Sequence, residues 1–332
     1  MTKIILFFIV LKKKSPLLLK YLRLTQIIRI FALKKNTMEH ISRRIALKTA
    51  LAGGMALAVN NLGASMNQLK KIKEEKKEPL KGNIRHSVSK WCFGDYPLDE
   101  FCKICKNIGI ESVELLEPKD WPVVKSNGLT VAMAQGAGLG IDRGFNDIKL
   151  HDELVKSYEE VIPLVAAAGL KNLICFSGRR NGVTDLQGWE NCEKGLKRIT
   201  PIAEKYNVIL TMELLNSIGH KDYLCDHTVW GVELCKRIGS PNFKLLYDIY
   251  HMQIMEGNII ESIQNYHTYF SHIHTGGNPG RNEIDETQEL FYPAIMRALV
   301  AKGYKGFVGQ EFVPKQQDKI ASLEKCIRIC DV

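Results

Sequence analysis

Acidic side chains are almost missing from the first 48 residues, which hold twelve Lys or Arg and one acid, Glu39. The formal charge of +10 belongs to that end, since residues 49–332 carry 34 basic and 35 acidic groups, a net of about −1. A near-neutral body excludes the basic face that polyanion binding needs, so nucleic acid is not an expected partner. A second C-x-x-C is also missing. Cys102-Lys103-Ile104-Cys105 stands alone in a helical pattern, which argues against a zinc or redox pair. Nine cysteines, an odd count in 332 residues, do not make a disulfide framework. No G-x-G-x-x-G occurs: Gly136, Gly138 and Gly140 are spaced two apart and read as a flexible loop rather than a phosphate cradle.

The basic end divides in two. Met38 opens a pattern in which Ser42-Arg43-Arg44 precedes Leu47-Lys48 and a mildly apolar run from Thr49 to Val59. Paired arginines ahead of such a run resemble a twin-arginine export signal, with Met38 as the natural start. The run is too short and too rich in Ala and Gly for a transmembrane helix. The alternative is a presequence or membrane anchor within residues 4–33. The expected organisation is a leader over 1–65, a Lys/Glu-rich linker over 66–82 and a catalytic domain over 83–332. The expected location is the periplasm, or the cytoplasm if the signal is not used. No stable membrane insertion is expected once the signal is removed.

From Asn83 onward, strand-like and helix-like runs alternate. Strands are predicted over 84–93, 112–116, 129–135, 172–176, 208–214, 243–248, 270–274 and 306–311. Helices are predicted over 98–107, 121–126, 150–168, 186–206, 228–238, 259–266, 289–302 and 316–329. Eight βα units in about 250 residues predict an α/β fold, a (β/α)₈ barrel, with a doubly wound sheet as the alternative.

Four strands end on a metal-competent side chain: Glu213, Asp248, His274 and Glu311. Side chains at the carboxyl ends of parallel neighbours meet at one site. Singly, each has a plainer reading: an Asp there caps a helix, a His is core, a Glu pairs with an Arg. Together they point to a cation, because carboxylates brought close repel unless one lies between them. Three carboxylates and an imidazole suit one divalent ion, Mg²⁺, Mn²⁺, Co²⁺ or Zn²⁺. His86, Trp91 and Glu114 are weaker candidates for the mouth, His272 reads as a deeper neighbour of His274, and Arg179-Arg180 as a contact for an acidic substrate or, equally, a solvated loop pair.

Met212-Glu213-Leu214-Leu215-Asn216, Tyr247-Asp248-Ile249-Tyr250-His251-Met252-Gln253, Pro279-Gly280-Arg281-Asn282-Glu283 and Gly309-Gln310-Glu311-Phe312 together resemble the hydroxypyruvate isomerase family. That family sits within the xylose isomerase-like TIM barrels, alongside ketose 3-epimerases. The resemblance covers residues 84–330 and implies that Glu213, Asp248, His274 and Glu311 bind the metal. It further implies that Glu213 and Glu311 move protons, that His251 and Arg281 contact substrate oxygens, and that Glu283 supports that loop and the substrate site. One position departs: hydroxypyruvate isomerases often carry Gln where His274 stands, and the epimerases carry His. The implied function is isomerisation of a small hydroxy-carbonyl compound through an enediolate, with 3-epimerisation of a ketose as the alternative. From other classes, a phosphodiesterase like endonuclease IV would need more His ligands, and a non-catalytic sugar binder would not need two proton carriers. A small-molecule substrate is the expected partner, and a homo-oligomer is compatible with all of these readings.

Overall fold

A computed structural model describes residues 78–332. The leader, the twin-arginine pattern and most of the linker lie outside them. The described chain forms the unit Pro79–Val332. Its strands are β1 (Arg85–Ser89), β2 (Ser112–Glu114), β3 (Asn172–Cys175), β4 (Ile209–Glu213), β5 (Phe243–Asp248), β6 (Phe270–Thr275) and β7 (Phe307–Gln310). Its helices are α1 (Leu98–Asn107), α2 (Trp121–Ser126), α3 (His151–Ala167), α4 (Asp185–Tyr206), α5 (Thr228–Ile238), α6 (Ile249–Met255), α7 (Ile259–Tyr266), α8 (Tyr292–Ala301) and α9 (Lys319–Cys330). The strands are parallel in the order β2-β1-β7-β6-β5-β4-β3.

The expected third strand, over 129–135, closes the ring without forming a regular ladder. It is held by bridges from Thr130 to Ser112 and from Ala134 to Leu116 and Leu173. Between those bridges Leu115 N still donates to Met133 O at 2.9 Å, but at Ala132 side chains take the place of the ladder. Ala132 N donates to Ser112 Oγ at 2.8 Å, and Asn172 Nδ2 donates to Ala132 O at 2.8 Å. Buried backbone groups must be paired. Two polar side chains meet that demand here while interrupting the strand, and the eight-stranded circuit is complete.

The first strand is shorter than its apolar pattern suggests. It stops at Ser89, and Lys90–Phe93 winds into a 3₁₀ turn. Gly94, Asp95 and Pro97 follow at once, which is turn chemistry rather than strand. The turn carries Trp91 to the mouth of the barrel, where its Nε1 reaches Glu311. The sequence reading also has no counterpart for α6. Asp248 Oδ1 caps it by accepting from His251 N at 3.2 Å. Gly257 and Asn258, both at positive φ, separate α6 from α7.

The main core lies between sheet and helices and includes Val88, Phe101, Val113, Leu173, Leu196, Leu210, Leu245 and Leu299, all fully buried. The barrel interior has its own small apolar cluster, Met133, Ile174 and Leu246. Elsewhere the interior is polar: Ser87, Glu114, Thr211 and His272 are shielded from solvent. One irregularity shapes it. Leu245 pairs with Phe270 but Leu246 pairs with His272, so Ser271 is an extra residue on β6. Ser271 Oγ meets Thr211 Oγ at 3.0 Å and His272 meets Glu114 at 3.0 Å, so two consecutive residues reach interior partners. A β-bulge does this, and it sets the face on which His272 and His274 lie.

Candidate metal centre

Glu213 ends β4, Asp248 ends β5, His274 is the fifth residue of β6, and Glu311 follows β7 directly. Asp248 and His274 are register partners, and His274 is level with Gly309, two residues before Glu311. One ligand atom from each of the four lies within 4.8 Å of all the others, and all four residues are buried. His274 Nδ1 stands 2.7 Å from Glu311 Oε2, 3.6 Å from Glu213 Oε1 and 3.9 Å from Asp248 Oδ2. That nitrogen is buried and has no aligned hydrogen-bond partner. An orphaned imidazole nitrogen facing three carboxylate oxygens is a donor set that fits a small divalent cation.

The plainer readings of these residues hold at the same time. Asp248 caps α6 through Oδ1 and turns Oδ2 to the cluster. Glu311 does pair with an arginine: Arg281 Nη2 is 2.6 Å from its Oε2 and 3.2 Å from Asp248 Oδ2. Arg281 therefore shares Glu311 Oε2 and Asp248 Oδ2 with the cluster, while the cap on α6 uses the other Asp248 oxygen.

Electrostatics without an ion are tense. Burial raises the Glu213 carboxyl above its ordinary value, with Glu311 adding to the effect. Burial lifts Asp248 to about 7, against the pull of Arg281. Burial also opposes ionisation of Glu311, but His274 and Arg281 outweigh it and hold the carboxylate well below the usual range. For His274 burial works against the cation, yet the charge of Glu311 and the hydrogen bond to Glu114 raise it well above 6.5. A proton on His274 thus supplies in part the positive charge that three carboxylates demand.

His274 is held from behind. Its Nε2 lies 2.8 Å from Glu114 Oε1, and His272 Nε2 reaches the same oxygen at 3.0 Å. Ser87 Oγ donates to Glu114 Oε2 at 2.6 Å. Burial opposes the charge on Glu114, but His272 and His274 overcome it and bring the carboxyl down to about 2.

The mouth is built from loops. Arg281, at φ +56°, sits with its guanidinium carbon 5.4 Å from the ring centres of both Trp91 and Tyr250. Trp91 Nε1 donates to Glu311 Oε1 at 2.7 Å. His251 is buried, with Nε2 3.6 Å from Asp248 Oδ2 and without a hydrogen-bond partner. Asn216 N donates to His251 Nδ1 at 3.2 Å, so the ring proton lies on Nε2. Glu283 stands apart: its Oε1 accepts from Lys315 N, Gln316 N and Ser322 Oγ at 2.7–3.0 Å, tying the 281–283 loop to the segment before α9 and to the first turn of α9 itself.

Of the weaker candidates, Trp91 and Glu114 reach the centre and His86 does not. Ser87 points into the barrel, so its neighbour His86 faces the helix layer near Asp331 and Arg328. Arg179 and Arg180 are engaged by Asp142 and Asp185. Asn216 was not singled out by the sequence reading; its one signal is its place three residues after Glu213.

The profile described as "Xylose isomerase-like TIM barrel" matches residues 95–329. The hydroxypyruvate isomerase of Escherichia coli K12 is 25% identical over 234 residues, 67% of this chain and 90% of that protein. A human putative hydroxypyruvate isomerase is 30% identical over 123 residues, 37% of this chain; the matched stretch spans less than half of that protein, 44%. The crystal structure of an AP endonuclease, family 2, from Brucella melitensis superposes with a TM-score of 0.65 at 24% identity, covering 72% of this chain and 97% of that one.

Proposed function

This chain belongs to the xylose isomerase-like TIM barrel family, and we propose from that premise that it is a divalent-metal-dependent isomerase of a small hydroxy-carbonyl compound. The observation that carries the proposal is the meeting of Glu213, Asp248, His274 and Glu311 within 4.8 Å at the carboxyl ends of four consecutive strands. Relatives named hydroxypyruvate isomerase support the substrate class, an α-hydroxy-carbonyl acid of hydroxypyruvate type.

Moving a carbonyl to the adjacent carbon requires removal of a proton from a carbon beside that carbonyl. A free carboxylate is too weak a base for that carbon acid in water. When bound, a divalent ion supplies Lewis acidity that stabilises the enediolate by several kcal/mol. The chain supplies the rest. One of Glu213 and Glu311 takes the proton and the other returns it to the neighbouring carbon, a contribution of about 10²–10⁴-fold. The His251 Nε2 proton, unpartnered in the mouth, donates to a substrate oxygen. Arg281, held between Trp91 and Tyr250, offers its guanidinium to the acid end of the substrate.

The test is a screen of 2-hydroxy-carbonyl acids and ketoses in D₂O with Mn²⁺ or Mg²⁺. Deuterium entering the carbon beside the carbonyl of a hydroxy acid, with its aldehyde isomer as product, is the expected result. Deuterium entering C3 of a ketose with inversion marks the epimerase instead, and no exchange into any substrate overturns the proposal. One ion per chain is expected, where a phosphodiesterase cluster would hold three. For location we carry forward export by the twin-arginine route, which cell fractionation of an Arg43→Lys, Arg44→Lys variant tests: retention in the cytoplasm supports it, unchanged export sinks it.

A further inference from the structure

We propose that Glu114 is a positioning residue for the ion site: by accepting the Nε2 proton of His274, it turns the Nδ1 lone pair of that ring toward Glu213, Asp248 and Glu311. This rests on the reading of those four side chains as ligands of one divalent ion.

A carboxylate only accepts hydrogen bonds. Glu114 Oε1 has two imidazole nitrogens at 2.8 and 3.0 Å, so both must present a proton to it. Its other oxygen takes the Ser87 hydroxyl at 2.6 Å. His272, His274, Ser87 and Glu114 are all fully buried or within 1% of it, so water has no access to compete for these bonds. With its proton fixed on Nε2, a neutral His274 has its lone pair on Nδ1, the nitrogen 2.7–3.9 Å from the three carboxylates. The opposite tautomer would set a lone pair against Glu114 and an N–H against the ion.

Two further features serve this contact. The rings of His272 and His274 are nearly perpendicular, at 87°, so they approach the shared oxygen from different sides. His272 thereby restrains Glu114 independently of His274. On β7, the residue level with His274 is Gly309, and a Cβ there would come within 2.2 Å of Glu114 Oε1 and 2.9 Å of His274 Cδ2. The absent side chain is the space that the carboxylate occupies.

A carboxylate behind a ligating histidine typically contributes about 10- to 100-fold in metal affinity. The experiment titrates Mn²⁺ into the full chain by calorimetry and reads the His274 ring nitrogens by ¹⁵N NMR with Mg²⁺ bound. Wild type should hold one ion, with the His274 proton on Nε2. Glu114→Ala should bind Mn²⁺ about 10- to 100-fold more weakly and shift the His274 Nε2 resonance as its hydrogen bond to a carboxylate is lost. Gly309→Ala alters no donor and should reproduce both effects by evicting Oε1. Should Glu114→Ala fail to fold, Glu114→Gln decides. Its amide oxygen still accepts, so the proton should stay on Nε2 and affinity should stay within about tenfold of wild type. The full loss in Glu114→Gln would make the charge rather than the hydrogen bond responsible and would overturn the role. Affinity within about twofold in a folded Glu114→Ala would overturn it too. So would two ions per wild-type chain, since Glu114, His272 and His274 would then be ligands themselves. A wild type that binds no ion sinks the metal reading, a result distinct from all of these.

Discussion

From β4 round to β7 the strands pair directly and each delivers one donor to the centre, whereas between β2 and β3 the circuit is carried by bridges at Thr130 and Ala134. The first half buries three acids and a histidine at its upper edge. The second fills its interior with Met133 and Ile174 and supplements its backbone bonds with Ser112 and Asn172 at Ala132. Register explains the difference. A one-residue slip in β4–β7 would turn one of the four clustered side chains out of the ring, so that half tolerates only the bulge at Ser271, which sets the face of His272 and His274. The other half has only to close.

The comparison breaks most sharply at Glu311. Glu311→Gln should lower turnover by about 10³-fold or more. Its melting temperature should fall, because Arg281 and His274 lose the carboxylate charge they hold ionised. Steady-state kinetics and a thermal melt check both. An unchanged or higher melting temperature would mean that crowding of the three carboxylates outweighs the Arg281 and His274 contacts.

A second test lies on β1, where His86 faces the helix layer. Burial lowers its pKa to about 4, and both ring nitrogens lack partners. The folded chain keeps it neutral while the unfolded chain takes up a proton below about 6.5, so stability is complete above 6.5 and falls as pH drops toward 4. The loss from this group reaches about 3 kcal/mol. Urea denaturation across that window should show the slope, and His86→Leu should flatten it. Equal slopes in the two proteins would remove His86 from the account.

The irregular stretch supplies the third. Asn172→Ala leaves Ala132 O buried without its donor and should cost about 1–3 kcal/mol in urea denaturation. Mn²⁺ affinity should be unchanged, since Asn172 lies at the start of β3, away from the centre. A drop in affinity would show that the two halves are coupled.

How much of this was open to sequence reasoning follows the same division. Alternation of apolar runs with amphipathic helices marks the circuit because each strand is buried on both faces, a local pattern. The four donors were visible because each sits at the end of such a run. Glu114 and His272 were visible as residues but not as a pair, since they are 158 positions apart and meet only when the ring closes. The break in the third strand was invisible, because Ser112 and Asn172 substitute for ladder bonds through tertiary contacts. The 3₁₀ turn at Lys90–Phe93 was misread because Trp91, Cys92 and Phe93 extend the apolar run past the true strand end.

The smallest expected effect concerns Arg179, on the loop after β3. Two adjacent arginines near a barrel mouth invite a role with an acidic substrate. Arg179 Nη2 instead meets Asp142 Oδ2 at 2.8 Å, and Arg180 Nη1 meets Asp185 Oδ1 at 2.7 Å. The Arg179 pair is about half exposed on both sides, so solvent screens it. Arg179→Ala should leave the urea midpoint unchanged. KM for a hydroxy acid should hold within about twofold, while Arg281→Ala raises it by tenfold or more, as loss of a charged hydrogen bond of about 1.5–3 kcal/mol requires. A large KM effect at Arg179 would move the acid-binding end of the substrate to the irregular half and reverse the division drawn above.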